Sequence, residues 1–312
     1  MAHDELRALL ACHARSDGST AIDGVMISKV EHPAPPAAST TGTVLAVVAQ
    51  GAKRLALGDR VYDYHAGQYL VASVDLPVTG HFVDPRPEEP ALGFGMDLRP
   101  EEIADVLLSA GAGQDPQPKT AATGIAVSDA PPELLDAVVR MVRLLESPRD
   151  IPVLAPLIKR EILWRLISGE QGAVVRQLGL PNGGFSHMTR AIHWIRDNYA
   201  TAFRVEDVAR MAGMSTSAFH RNFQSVTAMS PIQFQKHIRL QEARLLLAGR
   251  PGAVTSVCHS VGYDSASQFS REYRRLFGVS PSEDARRMRG SDPGSWTSGA
   301  SPAPQRDASP LP

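Results

Sequence analysis

The 312-residue sequence contains few of the residue types and patterns that mark several protein classes. Its only two cysteines, Cys12 and Cys258, lie far apart, so the sequence indicates neither a disulfide framework nor a thiolate metal site. No run approaches the roughly 18 apolar residues that a membrane span requires. A basic stretch followed by an apolar one does not open the chain. These absences predict a cytoplasmic protein that does not enter a membrane.

Motifs that are typical of enzymes are also absent. The sequence has no nucleophile elbow, no P-loop and no glycine-rich dinucleotide turn, so we expect no enzyme activity, no catalytic residue, no metal and no cofactor. What is present is an ordinary globular composition, with 43% hydrophobic and 21% charged residues. A chain of this length is long enough for two domains.

Charge is distributed unevenly along the chain. The net charge is −1, but residues 187–289 contain 15 Lys and Arg against 8 Asp and Glu, whereas residues 1–186 contain 16 against 23. A basic segment of this kind is typical of a nucleic-acid partner, because neutralising phosphates provides most of the non-specific affinity for DNA. Chance clustering of surface charge is the alternative.

The first half of the sequence changes from strand patterns to helix patterns. Between residues 24 and 98, short β-rich runs alternate with turn signals, which predicts a compact antiparallel barrel or sandwich. From Pro131 the apolar spacing is helical, and a second apolar helix follows at about 158–167. These helices are expected to pack on the barrel or on a partner chain.

Two segments rich in turn-forming residues suggest the domain boundaries. The sequence PNGG at 181–184 predicts a linker, and residues 290–312 are rich in Ser, Pro and Gly. The predicted organisation is an N-terminal domain at 1–184 with helices from about 131, a second domain at 185–289, and a disordered tail at 290–312.

One pattern is written twice in the second domain. At an offset of 50 residues six of 17 positions are identical, namely Ser215/Ser265, Ser217/Ser267, Phe219/Phe269, Arg221/Arg271, Ser230/Ser280 and Pro231/Pro281. Upstream the offset falls to 49, where Gly213 matches Gly262. Each copy predicts a helix, a tight turn at the glycine and a second helix that begins at a serine, which is the layout of a helix-turn-helix.

The second helix of each copy has an apolar and a polar face. Phe219 and Phe223 share one side of the first copy, and Phe269 and Tyr273 share one side of the second. The opposite sides carry small or hydrogen-bonding residues with one arginine each, which suits a helix that enters a major groove. The candidate DNA-binding residues are Ser217, His220, Arg221 and Gln224, then Ala266, Ser267, Ser270 and Arg271.

A helix is predicted between the two copies. Ser230, Pro231 and Gln233 form an N-cap, a proline in the first turn and a capping-box partner, and the helix runs to about Leu247. At 1.5 Å per residue it is about 25 Å long, which is of the right order to hold two recognition helices one turn of DNA apart, about 34 Å. Joining the copies rigidly makes the second contact with DNA intramolecular.

Residues 239–281 resemble the signature of the AraC/XylS family of bacterial transcription regulators. Their sequence is RLQEARLLLAGRPGAVTSVCHSVGYDSASQFSREYRRLFGVSP, and the match extends back to about Met188. The resemblance implies two helix-turn-helix units in a seven-helix domain. It also implies that the candidate DNA-binding residues named above, except Gln224, read the bases. The sequence departs from the family at Cys258, where alanine is usual. We interpret Cys258 as packing and His259 as surface.

The N-terminal half resembles the cupin-like domain of one AraC subgroup, through AQGAKRLALGDRVYDYHAGQYLVASVDLPVTG. The expected fold class is therefore α+β multidomain, with a cupin-like β-barrel and accessory helices before an all-α DNA-binding domain. Cupins include metal enzymes, and His32, His65 and His81 lie in the β region. However, the His-x-His with a downstream Glu that usually binds the metal is absent.

Together these features predict a sequence-specific transcription regulator that binds double-stranded DNA, responds to a small-molecule effector and forms a homodimer. The family favours an activator that works with RNA polymerase. One alternative is a constitutive DNA-binding protein whose barrel only dimerises. A metal-dependent cupin enzyme fused to a DNA-binding domain, or a DNA-repair protein with this DNA-reading domain, is a further alternative, although the chain lacks the Cys-x-x-Cys that repair chemistry of this kind would need.

Overall fold

The computed structural model describes residues 2–111, 123–180, 184–249 and 254–290. We call residues 2–180 the sheet domain and residues 184–290 the helical domain. Of the predicted linker at 181–184 and the predicted tail at 290–312, only residues 184 and 290 lie within the described part.

The sheet domain contains two antiparallel sheets. Sheet I has the strand order β1-β8-β3-β6-β9, and sheet II has the order β2-β7-β4-β5. The strands are β1 (Val25–Val30), β2 (Ala37–Thr41), β3 (Val44–Gln50), β4 (Ala52–Leu57), β5 (Arg60–His65), β6 (Gln68–Ala72), β7 (Leu76–Val83), β8 (Ala91–Asp97) and β9 (Ile125–Asp129).

Helices cover one face of the sheet domain and form the whole of the helical domain. The first group is α1 (Ala2–His13), α2 (Pro100–Ser109), α3 (Pro132–Arg143), α4 (Ile151–Ser168) and α5 (Gly172–Gly179). The second group is α6 (Gly184–Asp197), α7 (Val205–Met211), α8 (Thr216–Thr227), α9 (Pro231–Gly249), α10 (Val254–Ser260), α11 (Ala266–Phe277) and α12 (Pro281–Gly290).

The first core lies between sheet I and helices α1–α5. Strand residues such as Ile27 and Phe94 pack in this core with helix residues such as Ile162 of α4. The helical stripe predicted from residue 131 onward is confirmed, because three of its members are buried in the same core: Leu134, Val138 and Val142. The second apolar helix, predicted at about 158–167, lies within α4. Both predicted helices therefore pack on sheet I.

The second core lies between the two sheets and continues into the helical domain. Val48 and Leu70 of sheet I face Leu55 and Tyr64 of sheet II, and the same cluster includes buried residues of the helical domain. These residues are Met188, Ala191, Ile192, Ile195, Val208, Ala209, Ala212, Phe219, Phe223, Val226, Ala228, Met229, Phe234 and Ile238. The sheet domain and the first half of the helical domain therefore share a core.

A third, smaller core belongs to the second half of the helical domain. Its buried members are Leu240, Ala243, Leu247, Val257, Cys258, Val261, Tyr263, Phe269, Tyr273 and Ala285. None of these residues comes from the sheet domain, so the two halves of the helical domain are supported differently.

The expected α+β multidomain fold class is confirmed. In the described residues no strand pairing joins sheet I to sheet II, so the predicted barrel is open and has the form of a two-sheet sandwich. Strand patterns predict which face of a strand is buried, but they do not predict whether edge strands pair. Helices α1 and α2 and strand β9 were not predicted from the sequence.

Candidate DNA-binding surface

Both copies of the repeat form helix-turn-helix units. The first unit is α7 and α8 with Gly213 in the turn, and the second unit is α10 and α11 with Gly262 in the turn. Both glycines have a positive φ, 65° and 85°, a backbone conformation that glycine adopts without steric cost. At Gly262 a Cβ would also lie 2.9 Å from Arg239 Cζ, so the turn has no room for a side chain.

Serines begin the recognition helices, as the repeat predicts. The Ser215 hydroxyl accepts a hydrogen bond from the Ala218 backbone N–H, and the Ser265 hydroxyl accepts one from the Gln268 N–H, each at 3.3 Å. At Ser265 only half of a capping box is formed, because the Gln268 side chain donates to Glu272 and not to the Ser265 N–H. The hydroxyls satisfy backbone donors that have no partner within a helix.

The linker helix α9 begins with a complete capping box. The Gln233 N–H donates to the Ser230 hydroxyl at 3.3 Å, and the Ser230 N–H donates to Gln233 Oε1 at 3.0 Å. The helix has 19 residues, which corresponds to about 28 Å at 1.5 Å per residue. The predicted rigid connection between the two units is present.

The structure places the predicted DNA-binding residues on two helix faces that solvent can reach. Exposed positions are Ser217, His220, Arg221 and Gln224 on α8, and Ala266, Ser267 and Arg271 on α11, while Ser270 is half-buried. On the opposite faces Phe219, Phe223, Phe269 and Tyr273 are fully buried. Each helix thus keeps its apolar side in a core and its polar side available for a groove.

Arg239 of α9 ties the second unit to the loop after α6. Its guanidinium donates to the carbonyls of Tyr199 and Gly262, both at 2.6 Å, and to that of Ala200 at 3.2 Å. Gln235, one turn earlier, donates to the Tyr199 and Thr201 carbonyls. These contacts fix α9 relative to the turn of the second unit.

Glu272 orients the second recognition helix. Its carboxylate accepts hydrogen bonds from Lys236 on α9 and from the Tyr263 hydroxyl, both at 2.7 Å, and from Gln268 at 3.2 Å. Burial alone would raise the pKa of Glu272, but these hydrogen bonds outweigh it and hold the pKa below its usual value. The ionised carboxylate therefore anchors α11 to α9.

Asp284 provides a second anchor that the sequence analysis missed. This buried carboxylate accepts from the Tyr273 hydroxyl at 2.8 Å and from Arg244 Nε at 2.9 Å. It joins α12, α11 and α9 at the base of the second unit. Local sequence signals did not reveal it because its partners lie 11 and 40 residues away.

Cys258 and His259 occupy the positions expected for packing and surface residues. Cys258 is fully buried in the third core, and its thiol lies 3.7 Å from the Tyr263 carbonyl. Burial raises the pKa of the thiol, which favours its neutral form. The His259 ring lies 3.1 Å from the same carbonyl oxygen.

The described residues contain no group of three or more His, Cys, Asp or Glu side chains placed to hold a metal ion. His65 and His81 lie on the face of sheet II that also carries the Arg54–Asp63 ion pair. Among the described helices, none is both long and apolar enough to cross a membrane.

Two family models match the chain in the order of its domains. A model of the AraC-type transcriptional regulator N-terminus matches residues 21–174, and a helix-turn-helix domain model matches residues 208–287. The chain belongs to the AraC family of transcription regulators. The resemblance carried by residues 239–281 is confirmed.

Two curated transcription regulators match parts of the chain. The transcriptional activator RhaS of Escherichia fergusonii is 29% identical over 152 residues, which cover 48% of this chain and 53% of RhaS. The transcriptional regulator MtrA of Neisseria gonorrhoeae is 34% identical over 92 residues, covering 30% of this chain and 31% of MtrA. The chain thus spans about half the length of the one relative and about a third of the other.

Solved structures of ToxT from Vibrio cholerae share the fold over most of the chain. One, bound to (E)-4-(8-methylnaphthalen-1-yl)but-3-enoic acid, has a TM-score of 0.53 at 10% identity and covers 85% of this chain and 98% of ToxT. Another, bound to an unsaturated fatty acid, has a TM-score of 0.51 at 10% identity and covers 86% and 96%. At this identity the likeness concerns the fold alone.

Proposed function

We propose that this AraC-family protein is a sequence-specific transcription regulator that reads two adjacent major-groove segments, one with each helix-turn-helix unit. The observation that carries the proposal is the pair of exposed polar faces on α8 and α11. The units to which these helices belong are connected by one continuous helix, α9. We call the DNA segment read by each unit a half-site. Arg221 and Arg271 occupy equivalent exposed positions, from which a guanidinium can bridge O6 and N7 of guanine.

Replacing Arg221 or Arg271 by alanine tests this function. Each change should leave the fold intact, because both side chains are exposed. Each should weaken binding to the preferred site by about 1 to 3 kcal/mol and relax the preference at one base position. Sites selected from random DNA by the two variants should have lost the base preference at different positions, and these positions should lie about 10 base pairs apart.

Arg7→Ala on α1, where an exposed arginine lies far along the chain from both units, is the matched control and should select the same sites as the unchanged protein. Phosphate contacts alone would give a different result. Uniform weakening on all sequences with a smaller salt dependence would contradict base reading by these arginines.

We also propose that the sheet domain binds a small-molecule effector between its two sheets. On the inward face of sheet II the strands carry two charged residues, and one of them, Arg60, donates to the Ser225 carbonyl. The other, Lys53, has no acidic partner among the described residues, and its ammonium lies 5.1 Å from the centroid of the Phe82 ring. Burial lowers the pKa of Lys53. An anion beside the ammonium would raise this pKa again.

Further support for a ligand with a carboxylate comes from the neighbourhood of Lys53 and from the ToxT structures, which contain bound carboxylic acids. Tyr64 pairs with Lys53 across β4 and β5, is almost fully buried, and has a hydroxyl with no hydrogen bond to any described residue. Gly93 on sheet I faces Phe82, since a Cβ there would lie 3.5 Å from Phe82 Cζ.

A thermal-shift comparison tests the Lys53 anchor. At least one of a panel of aliphatic and aromatic carboxylates should raise the unfolding midpoint of the full chain, whereas its amide should raise it less. A ligand at 100 times its Kd stabilises the folded state by about 2.7 kcal/mol. Lys53→Met should abolish the preference for the carboxylate over its amide. Arg54→Met, on the solvent face of the same strand, should keep that preference. Equal stabilisation of Lys53→Met would contradict the assignment.

We propose in addition that the protein forms a homodimer through α4. Val153, Leu157 and Trp164 lie on one side of this helix and are exposed. Exposed apolar stripes of this kind are typical of interfaces. Arg160 and Glu161 border the stripe, so a twofold pairing of α4 can oppose unlike charges. A sedimentation mass of one chain at micromolar concentration would contradict the dimer.

An activator role is the last part of the proposal. RhaS, which is called an activator, supports it, and an activator would contact RNA polymerase beside the bound site in the cytoplasm. No enzyme activity is part of this proposal. Transcription in vitro from a template that carries the selected site would distinguish activation from repression.

A further inference from the structure

The sheet domain contacts the end of the first recognition helix, α8. Arg60, at the start of β5, donates to the Ser225 carbonyl at 3.2 Å, and the Gly124 N–H, just before β9, donates to the Val226 carbonyl at 3.1 Å. Gly58, in the turn between β4 and β5, is so close that a Cβ there would lie 2.7 Å from the Ala228 carbonyl oxygen. Carbonyls of the last turn have no partner within a helix, and here the sheet domain provides the partners.

The corresponding end of the second recognition helix, α11, receives no such support from the sheet-domain residues that the structure describes. Ala228 and Met229 are buried, whereas their equivalents at an offset of 50 residues, Gly278 and Val279, are exposed and half-buried. A Cβ added at Gly278 would meet no atom within 4 Å. Equivalent segments of the two copies therefore differ in what lies against them.

The two helices also differ in the residue that ends them, Ala228 in α8 and Gly278 in α11. Ala228 and Gly278 both end their helices in the left-handed conformation, with φ of 56° and 76°. Glycine adopts this conformation without steric cost, but in alanine the Cβ crowds the following carbonyl oxygen. A strained residue persists where the surrounding structure determines its conformation, and at Ala228 that structure includes the sheet domain.

The contact leaves the DNA-reading face of α8 free. The reading residues start at Ser217 near the N-terminal end of the helix and are exposed, while the hydrogen bonds from the sheet domain reach the carbonyls of Ser225 and Val226 in the last turn. Two other contacts hold the elements around α8. Gln241 of α9 donates to the Ser39 and Val78 carbonyls, and Asp75 pairs with Arg196 of α6.

We propose that Gly58 and Arg60 are positioning residues for the first recognition helix, so that the sheet domain controls DNA binding at the first half-site and leaves the second half-site unaffected. The inference rests on the proposed reading of two half-sites and adds that they are not equivalent. A change between the sheets reaches α8 directly through the β4–β5 turn. The described contact of the sheet domain with α9, through Gln241, reaches α11 only indirectly, through the Lys236–Glu272 bridge.

Gly58→Ala in the full chain tests this inference, with Gly67→Ala as the matched control. Both glycines lie in turns between consecutive strands of the sheet domain and have a positive φ, 60° and 87°, so alanine strains both backbones. Only at Gly58 does the new methyl group meet the helical domain, since a Cβ at Gly67 contacts nothing within 4 Å. Arg60→Met is the second variant, which removes a hydrogen bond without changing a turn.

Binding is measured on three duplexes: the selected site, the site with the first half-site scrambled, and the site with the second half-site scrambled. Gly58→Ala and Arg60→Met should weaken binding about tenfold wherever the first half-site is intact, in line with usual coupling between sites. They should leave binding unchanged where only the second half-site remains. Gly67→Ala should match the unchanged protein on all three duplexes.

Hydrogen exchange provides an independent readout, because Arg60→Met should speed exchange in residues 216–229 and leave 266–277 unchanged. Equal weakening on both half-sites, or the same effect from Gly58→Ala and Gly67→Ala, would overturn the inference. An unchanged first half-site in both Gly58→Ala and Arg60→Met would also overturn it. If the unchanged protein instead prefers no paired half-sites, the proposed function itself is wrong.

Discussion

Replacing Phe269 by alanine is expected to unfold the second helix-turn-helix unit and leave the rest of the chain folded. Phe269 is fully buried, and its ring lies 5.4 Å from that of Tyr263 and 5.6 Å from that of Tyr273, centroid to centroid. Truncating such a side chain costs about 3 to 5 kcal/mol. The third core is small, so it has little stability left after this loss.

Hydrogen exchange measured along the chain checks this prediction. Protection should be lost in residues 254–290 and kept in the strands of both sheets and in α8. Leu245→Ala, which shortens an exposed side chain on α9, is the control and should change stability by less than about 0.5 kcal/mol. Loss of protection throughout Phe269→Ala would show that the third core is not an independent unit.

Much of the helical domain could be predicted because its signals are local. The glycine turns, the serine caps and the proline that begins α9 are each determined by residues within four positions of one another. Repetition at a constant offset then distinguished these signals from chance. The exposed and buried faces of α8 and α11 followed from helical periodicity alone, and all of the predicted inner aromatic residues are buried.

The remaining features depend on contacts between distant parts of the chain. Gln241 binds backbone carbonyls about 160 and 200 positions away, and Arg60 binds one 165 positions away. Neither a glutamine on a helix nor an arginine at the start of a strand has a periodicity that indicates such a partner. The open arrangement of the two sheets is of the same kind, because it depends on which edges meet.

Lys53, in the candidate effector site, is a further residue whose position could not be predicted from the sequence. Its strand, β4, alternates in a way that places Lys53 inward with Leu55 and Leu57, yet a charged residue near the start of a strand is ordinarily exposed. Only the register with β7, which sets Lys53 opposite Phe82, reveals that the ammonium lies over an aromatic ring. The sequence therefore predicted a response to an effector but not the residue proposed to hold it.

Replacing Phe219 by alanine is expected to have a wider effect than the same change at Phe269. Both phenylalanines are fully buried and occupy equivalent positions of the repeat. Phe219, however, belongs to the core that also contains Leu55, Leu57 and Val78 of sheet II. A loss of about 3 to 5 kcal/mol is therefore shared by the sheet domain and the first unit.

Unfolding of Phe219→Ala should be cooperative across the two domains, because residues in one core lose their packing together. Hydrogen exchange should speed in the strands of sheet II as well as in α7 and α8, and less in α11. Val61→Ala, on the exposed face of sheet II, is the control. If sheet II kept its protection while α8 lost its own, the two domains would not be mechanically joined, and the route proposed from the β4–β5 turn to the first half-site would lose its physical basis.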